Sequence, residues 1–352
     1  MKRLRIAHIA PLWFTVPPQK YGGIERIVAE LADGQIALGH RVTLFAAPGS
    51  KTKARLVTVY DKPLLQAEIP WTNPLWNLRN LAVCFAHARE FDIIHSHLDL
   101  WTLFFQELGG TPVVHTFHNQ LYRTARGLDD RLELFEIYKH STNAVFISAA
   151  ERRLAKVRFP KSCVIYNGVP LEQFRFNNKP GRYFAWIARV DKHKGIENAI
   201  AAAQQSGEEL LLAGRIDPTQ HDYFRNVIKP QLSKKIRYIG ELTNKELSGF
   251  YGGAKALLYP IEWNEPFGLV MAEAMACGTP VIAYPRGSVP ELVRHKKTGF
   301  LVHSVHGIVR AMKHIDEIDR TACRNWVERK FSVPQMCEKY ERLYAKILNL
   351  KR

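Results

Sequence analysis

Asn264-Glu265-Pro266-Phe267-Gly268-Leu269-Val270-Met271-Ala272-Glu273-Ala274-Met275-Ala276-Cys277-Gly278-Thr279-Pro280 decides how the rest of the chain is read. Pro266 suits the first turn of a helix, where its missing N–H costs nothing. Gly278 suits the end of that helix, and Pro280 forbids its continuation. The predicted helix, residues 267–276, is apolar on every side except at Glu273, whose helical neighbours Leu269, Val270, Ala276 and Cys277 are themselves apolar. A carboxylate in such surroundings is costly unless hydrogen bonds reach it. Glu265 stands just before the helix, where exposed N–H groups favour an anion. Two carboxylates eight residues apart, with free amides between them, suit a polyhydroxy, anionic ligand. The plainer alternative is a solvated glutamate and an ordinary Glu-Pro helix start.

Outward from this stretch, short β-branched runs alternate with helical ones. Strands are predicted at 5–10, 41–46, 92–95, 112–116, 144–148 and 163–165, with helices at 24–38, 77–90, 100–108 and 131–138 between them. A second series has strands at 182–187, 209–213, 236–239, 256–259 and 280–283 and helices at 196–204, 223–232, 245–251 and 267–276. Such alternation predicts parallel sheets with crossover helices, an α/β chain of two doubly wound domains. The Asn/Pro/Gly-rich stretch 167–181 is the linker candidate. The division is therefore residues 1–168, a second domain 169–332, and a tail helix within 333–352. Ligands of doubly wound domains bind at strand C-termini, which makes a cleft there the expected site.

The chain has 352 residues, 46% hydrophobic and 24% charged, ordinary for a globular protein of two domains. No apolar run approaches the roughly 18 residues that span a bilayer, and the N-terminus reads as a strand rather than a signal peptide. Five scattered cysteines without a Cys-x-x-Cys spacing suggest neither a disulfide framework nor a zinc knuckle, and fit a reducing, cytoplasmic setting. The net charge of +17 is spread along the chain, with 21 Lys and Arg against 14 Asp and Glu in residues 1–168 and 29 against 19 in residues 169–352. With no basic tail and no nucleic-acid motif, nucleic acid is not an expected partner. The densest basic run, Arg152-Arg153-Leu154-Ala155-Lys156-Val157-Arg158-Phe159-Pro160-Lys161, reads as a solvated helix face or as a contact for an anionic membrane surface. The stretch Trp71-Thr72-Asn73-Pro74-Leu75-Trp76-Asn77-Leu78 is a candidate interfacial element beside it.

Tyr21-Gly22-Gly23-Ile24-Glu25-Arg26 follows the first strand and opens a helix, so Gly22 and Gly23 mark either a plain turn or a close approach to phosphate. Arg189-Val190-Asp191-Lys192-His193-Lys194-Gly195 follows the first strand of the second series, and there Arg189 and Lys194 form either a solvated loop or a pair of cations for a diphosphate. Four histidines, His95, His97, His115 and His118, fall on adjacent strands, with His95 and His97 on one side of theirs. Core or loop histidine is the default, and a metal site lacks an assigned full ligand set. Asp-x-Asp does not occur.

The spacing Glu265-x7-Glu273 followed by Ala276-Cys277-Gly278-Thr279-Pro280-Val281-Ile282-Ala283 resembles the signature of retaining glycosyltransferases of family 4 (glycosyl transferases group 1), the phosphatidylinositol-mannosyltransferase and glycogen-synthase type. The resemblance covers nearly the whole chain and is strongest over residues 182–299. It implies the GT-B fold, two Rossmann-like domains facing a cleft, the first binding acceptor and the second the nucleotide sugar, with the last helix crossing back to the first domain. It implies that Glu273 accepts hydrogen bonds from ribose hydroxyls, that Glu265 contacts sugar hydroxyls, and that the amides of Phe267, Gly268 and Leu269 touch sugar or phosphate. Arg189 and Lys194 would hold the leaving diphosphate; the family pattern Gly-Arg-Leu-x-x-x-Lys-Gly has glycine where this chain has Ala188. Gly22 and Gly23 would approach the donor pyrophosphate and the acceptor, and His118, in His115-Thr116-Phe117-His118-Asn119, the transferred sugar. No cofactor and no metal are implied beyond a UDP- or GDP-sugar co-substrate. The partners implied are a carbohydrate or lipid-linked acceptor and, for a peripheral enzyme of envelope polysaccharide or glycolipid synthesis, the inner face of a membrane. Two other readings stay open: a sugar-nucleotide 2-epimerase on the same fold, and a catalytically silent paralogue that binds a membrane or a partner.

Overall fold

The computed structural model describes residues 2–20, 22–70, 72–121, 129–179 and 181–350. The chain forms two compact units, one of Met1–Gly168 with Val333–Arg352 and the other Val169–Ser332. Tyr21 of the glycine loop and Trp71 of the candidate interfacial element lie outside the described residues.

The first unit is built on seven parallel strands: β1 (Arg5–Ile9), β2 (Arg41–Phe45), β3 (Arg55–Val57), β4 (Ile93–Ser96), β5 (Val113–Phe117), β6 (Asn143–Phe146) and β7 (Ser162–Val164). Their order is β3-β2-β1-β4-β5-β6-β7, with every pairing parallel. The strand order reverses direction between β1 and β4, where His8 stands directly beside His95 in register. β4 and β5 are buried throughout, as expected of strands covered on both faces. The helix Val333–Ile347 belongs to this unit, burying Met336, Cys337, Tyr340 and Tyr344.

The second unit has six parallel strands, β8 (Tyr183–Ile187), β9 (Leu210–Ala213), β10 (Ile236–Tyr238), β11 (Ala254–Tyr259), β12 (Val281–Ala283) and β13 (Gly299–Leu301). The order is β10-β9-β8-β11-β12-β13, and its reversal falls between β8 and β11. The loops leaving the C-terminal ends of those two strands carry Arg189 and Lys194 on one side and Glu265 on the other, where a doubly wound sheet presents its ligand site.

Several local expectations change. The helix after β11 runs Leu269–Ala276, not from residue 267, because Gly268 adopts a left-handed φ of 85° that interrupts the helical path. Pro266 therefore lies in the approach loop and not in the first turn. Residues 100–108 hold only the 3-10 turn Trp101–Phe104, and residues 223–232 break into short α, π and 3-10 pieces. The basic run is helical only within Ala149–Leu154. Beyond it Ala155, Val157 and Phe159 are buried while Lys156, Arg158 and Lys161 face outward. Arg158 curls back to donate to the carbonyls of Arg152 and Arg153 at the end of that helix. Trp76 packs inward, its ring 4.2 Å from that of Tyr60 and against the cluster of Leu12, Ala47 and Leu64. No helix among the described residues is long and apolar enough to cross a membrane.

Candidate active site

In the second unit the predicted carboxylates are placed very differently. Glu273 is 3% exposed, and the Tyr251 hydroxyl from the helix Asn244–Gly252 donates to its Oε2 at 2.8 Å. Thr279 fixes that tyrosine's backbone by donating to its carbonyl at 2.7 Å. A hydrogen-bonded carboxylate is the arrangement that an apolar helix requires of a buried glutamate.

Glu265 is 9% exposed, and its Oε2 receives three donors: Lys194 Nζ at 2.9 Å, the Tyr259 hydroxyl at 2.8 Å and Trp263 Nε1 at 2.9 Å. The ammonium of Lys194 also lies 4.2 Å from the centre of the Trp263 ring, a cation–π contact that reinforces the charge pair. The two loops are latched by backbone and side chain: Glu262 N–H donates to the His193 carbonyl at 2.9 Å and Asn198 Nδ2 to Glu262 Oε1 at 2.7 Å. From the other side Ser288 braces the approach loop, its N–H on the Glu265 carbonyl at 2.9 Å and its hydroxyl on the Phe267 carbonyl at 2.8 Å. The first turn of a helix leaves N–H groups without intrahelical acceptors, so the backbone at Gly268 and Leu269 offers donors beside Glu265. The Phe267 ring is core, edge-on to Phe331 at 5.9 Å.

Arg189 keeps a third of its side chain exposed and reaches Asp191 at 3.5 Å. Ala188, the departure from the family pattern, does not have a positive φ, so alanine fits there without backbone strain.

In the first unit His118 is buried and joined to three other imidazoles. His118 Nε2 is 3.0 Å from His97 Nδ1, and His97 Nε2 is 3.1 Å from His8 Nδ1. His8 Nε2 then meets Gln35 Oε1 at 2.7 Å, and Gln35 Nε2 meets the Tyr344 hydroxyl at 3.2 Å. His95 bridges Tyr344, 2.6 Å from its Nδ1, and Thr116, 2.7 Å from its Nε2. His8, His95 and His97 bring ligand nitrogens within 4.8 Å of one another, near enough for a cation, yet all six of their ring nitrogens already have protein partners. Burial lowers the basicity of every ring, taking His8 to about 4 and His118 to about 3 and placing His95 and His97 well below the ordinary value. His115 is a core histidine whose two nitrogens lack partners, and burial lowers it to about 3.

Gly22 precedes the helix Gly23–Ala37 with φ 143°, and a Cβ there would stand 2.8 Å from Pro18. The fold alone requires glycine at this position. Glu25, in the first turn of the same helix, is 4% exposed, and burial raises its carboxyl to about 7. Glu25, His8, Gln35, Tyr251, Tyr259 and Trp263 were not singled out from the sequence. Only the buried-side pattern of the helix Gly23–Ala37, with Glu25 and Gln35 on it, carried a local hint.

A family model described as Glycosyl transferases group 1 matches residues 171–330, and one described as Glycosyltransferase Family 4 matches residues 21–173. The chain belongs to the family 4 glycosyltransferases. Phosphatidyl-myo-inositol mannosyltransferase of Mycobacterium tuberculosis is 25% identical to this glycosyltransferase over 325 residues, 85% of this chain and 82% of that one. Among solved structures, sucrose-phosphate synthase from Thermosynechococcus elongatus superimposes with a TM-score of 0.83 at 23% identity, over 99% of this chain and 100% of that one. The Anabaena protein Alr3699/HepE, solved in complex with UDP-glucose, gives a TM-score of 0.76 at 19% identity over 98% and 100% of the two chains. The fold is GT-B: two Rossmann-like, doubly wound α/β domains.

Proposed function

We propose that this glycosyltransferase moves a hexosyl group from a nucleoside diphosphate sugar to an acceptor hydroxyl, with retention of anomeric configuration and without a metal ion. The observation that carries the reading is the pairing of Lys194 with Glu265 at 2.9 Å at the reversal of the second sheet, eight residues ahead of the buried Glu273. In this reading Glu273 accepts from the ribose hydroxyls, Glu265 and the amides of Phe267, Gly268 and Leu269 hold sugar and phosphate, and Arg189 and Lys194 stabilise the departing diphosphate. Gly22 and Gly23 approach the pyrophosphate, and His118 contacts the transferred sugar. The bond from C1 to the phosphate oxygen breaks while a bond from C1 to the acceptor oxygen forms on the same face, and the acceptor proton passes to the leaving phosphate.

A UDP-sugar donor is supported by the UDP-glucose complex of the Anabaena protein, and GDP-sugars stay within the proposed class. A lipid-linked acceptor is supported by the mycobacterial relative, whose name specifies a phosphatidylinositol acceptor; a carbohydrate acceptor is the other member of the class. The proposed setting is envelope polysaccharide or glycolipid synthesis at the cytoplasmic face of a membrane.

The test has two stages. Thermal shifts against a panel of UDP- and GDP-sugars identify the donor, because a ligand bound by the folded state alone raises its stability. Turnover with that donor and an acceptor panel, followed by the coupling constant of the anomeric proton in the product, then reads the stereochemistry. An inverted product overturns retention. An isomerised sugar nucleotide formed without acceptor would favour the epimerase, and the absence of any donor turnover would favour a silent paralogue.

A further inference from the structure

The buried histidines of the first unit form a directed chain, and its direction is set at Gln35. Three links join Gln35, His8, His97 and His118. Each link between neutral rings holds one proton, so fixing it at one end fixes all the others. The amide of Gln35 supplies that end. A separation of 2.7 Å suits N–H···O and is too short for N–H···N, so the carbonyl oxygen of Gln35 faces His8. Its NH2 group then faces Tyr344 at 3.2 Å, an ordinary length for N–H···O and a long one for O–H···O.

The rest follows link by link. His8 carries its proton on Nε2 and presents Nδ1 as an acceptor. His97 donates from Nε2 and accepts at Nδ1. His118 donates from Nε2. The second branch agrees with the first: Tyr344 accepts from Gln35 and donates to His95 Nδ1, and His95 donates from Nε2 to Thr116. Burial keeps the rings neutral, as the one-proton-per-link accounting requires.

We propose that Gln35 is a positioning residue that holds His118 as its Nε2–H tautomer through His8 and His97, leaving Nδ1 as a hydrogen-bond acceptor for a hydroxyl of the sugar. This rests on the reading of His118 as a sugar contact. It deepens that reading by giving the contact a direction, in which the sugar donates and the imidazole accepts. Tyr344 is the second lock, because without it the Gln35 amide can rotate and reverse every link.

The test is long-range proton–nitrogen correlation spectroscopy on the full chain labelled with ¹⁵N-histidine, alongside steady-state kinetics with the best nucleotide sugar. The wild-type protein is expected to show protonated Nε2 on His118, His97, His8 and His95. Gln35→Met, similar in length but without donor or acceptor, is expected to give mixed tautomers at His118 and to lower kcat about tenfold or more with little change in donor KM. Tyr344→Phe, a milder change, is expected to shift the same His118 signals, and it carries the test if Gln35→Met does not fold. Protonated Nδ1 on wild-type His118, or a His118 spectrum unmoved in the folded variants, would overturn the proposal. His118→Ala separates the two ideas. Wild-type turnover in that variant would remove His118 from the site while the spectra still decide whether Gln35 sets the tautomer.

Discussion

Lys194 and Glu265 are 71 residues apart in the chain, yet Nζ of one lies 2.9 Å from Oε2 of the other. The contact follows from strand order. β8 and β11 are neighbours at the reversal of the sheet, so the loops leaving their C-terminal ends must meet. Tyr259 and Trp263 donate to the same oxygen, which holds the carboxylate in one orientation and shields the charge pair from water.

Glu265→Gln keeps the shape and removes the charge. If Glu265 orients the sugar in the transition state, kcat falls by about 10²–10³, as expected for loss of one preorganised electrostatic contact. Nucleoside diphosphate binding, measured by calorimetry, changes far less. Glu273→Ala does the reverse, weakening the nucleotide and abolishing its thermal shift. Wild-type turnover in Glu265→Gln would remove the residue from the chemistry.

Transfer is expected to survive EDTA, since the chain has no Asp-x-Asp pair and the proposed role of Arg189 and Lys194 is to stabilise the leaving diphosphate. Arg189→Ala and Lys194→Ala each lower kcat by about 10²-fold. Activity lost on chelation and restored by Mg²⁺ or Mn²⁺ would mean that a cation takes the role assigned to these side chains.

Glu25 and the histidines pull the pH dependence of stability in opposite directions. The folded state raises the carboxyl of Glu25 from 4.5 to about 7. It then binds more protons than the unfolded chain over that window, and stability declines as pH rises through it. The full effect is on the order of 3 kcal/mol. His8, His115 and His118 are lowered from 6.5 to about 4, 3 and 3. There the unfolded chain binds the extra protons, and stability is lost as pH falls below 6.5. Urea titrations from pH 4 to 8 are expected to show a maximum between these flanks. Because the two windows overlap between 4.5 and 6.5, Glu25→Gln removes the decline on the alkaline flank and steepens the acid one; an unchanged profile would show that Glu25 is not the group responsible.

The five cations Arg152, Arg153, Lys156, Arg158 and Lys161 are exposed, and each contributes about 1 kcal/mol beside an anionic surface. Co-sedimentation with anionic vesicles is therefore expected at low salt and is lost as salt screens the field. Arg152→Glu with Lys156→Glu abolishes it. Equal, negligible binding to anionic and neutral vesicles would favour an acceptor in solution.

The two sheets and the buried glutamate were legible because they have local signals: β-branched runs between turns, and a lone carboxylate on an apolar helix. Strands β3 and β13 escaped, although the equally short β7, β10 and β12 were read. The helix start was misplaced because Pro266 is a common opener, and only the left-handed backbone of Gly268 moves it to Leu269. Tyr251 as the partner of Glu273 was hidden because it comes from another helix, 22 residues away. The histidine chain was half visible. His95, His97 and His118 are near in sequence, whereas His8 reads as one polar residue in an apolar strand. Its partner Gln35 lies on a helix, and the Tyr344 that meets Gln35 stands 309 residues from it. Contacts of that separation are made by topology and leave no mark on the neighbouring sequence.

The helix Val333–Ile347 gives Tyr340 and Tyr344 to the histidine chain, and Glu341 meets His40 at 2.7 Å. The whole of the second unit, Val169–Ser332, is translated before that helix exists. On the ribosome residues 1–168 therefore wait with Gln35, His95 and Thr116 lacking their tyrosines until that helix emerges. A chain truncated before residue 333 should hold a finished second unit and an unfinished first one, so that the unit begun first is the last to mature.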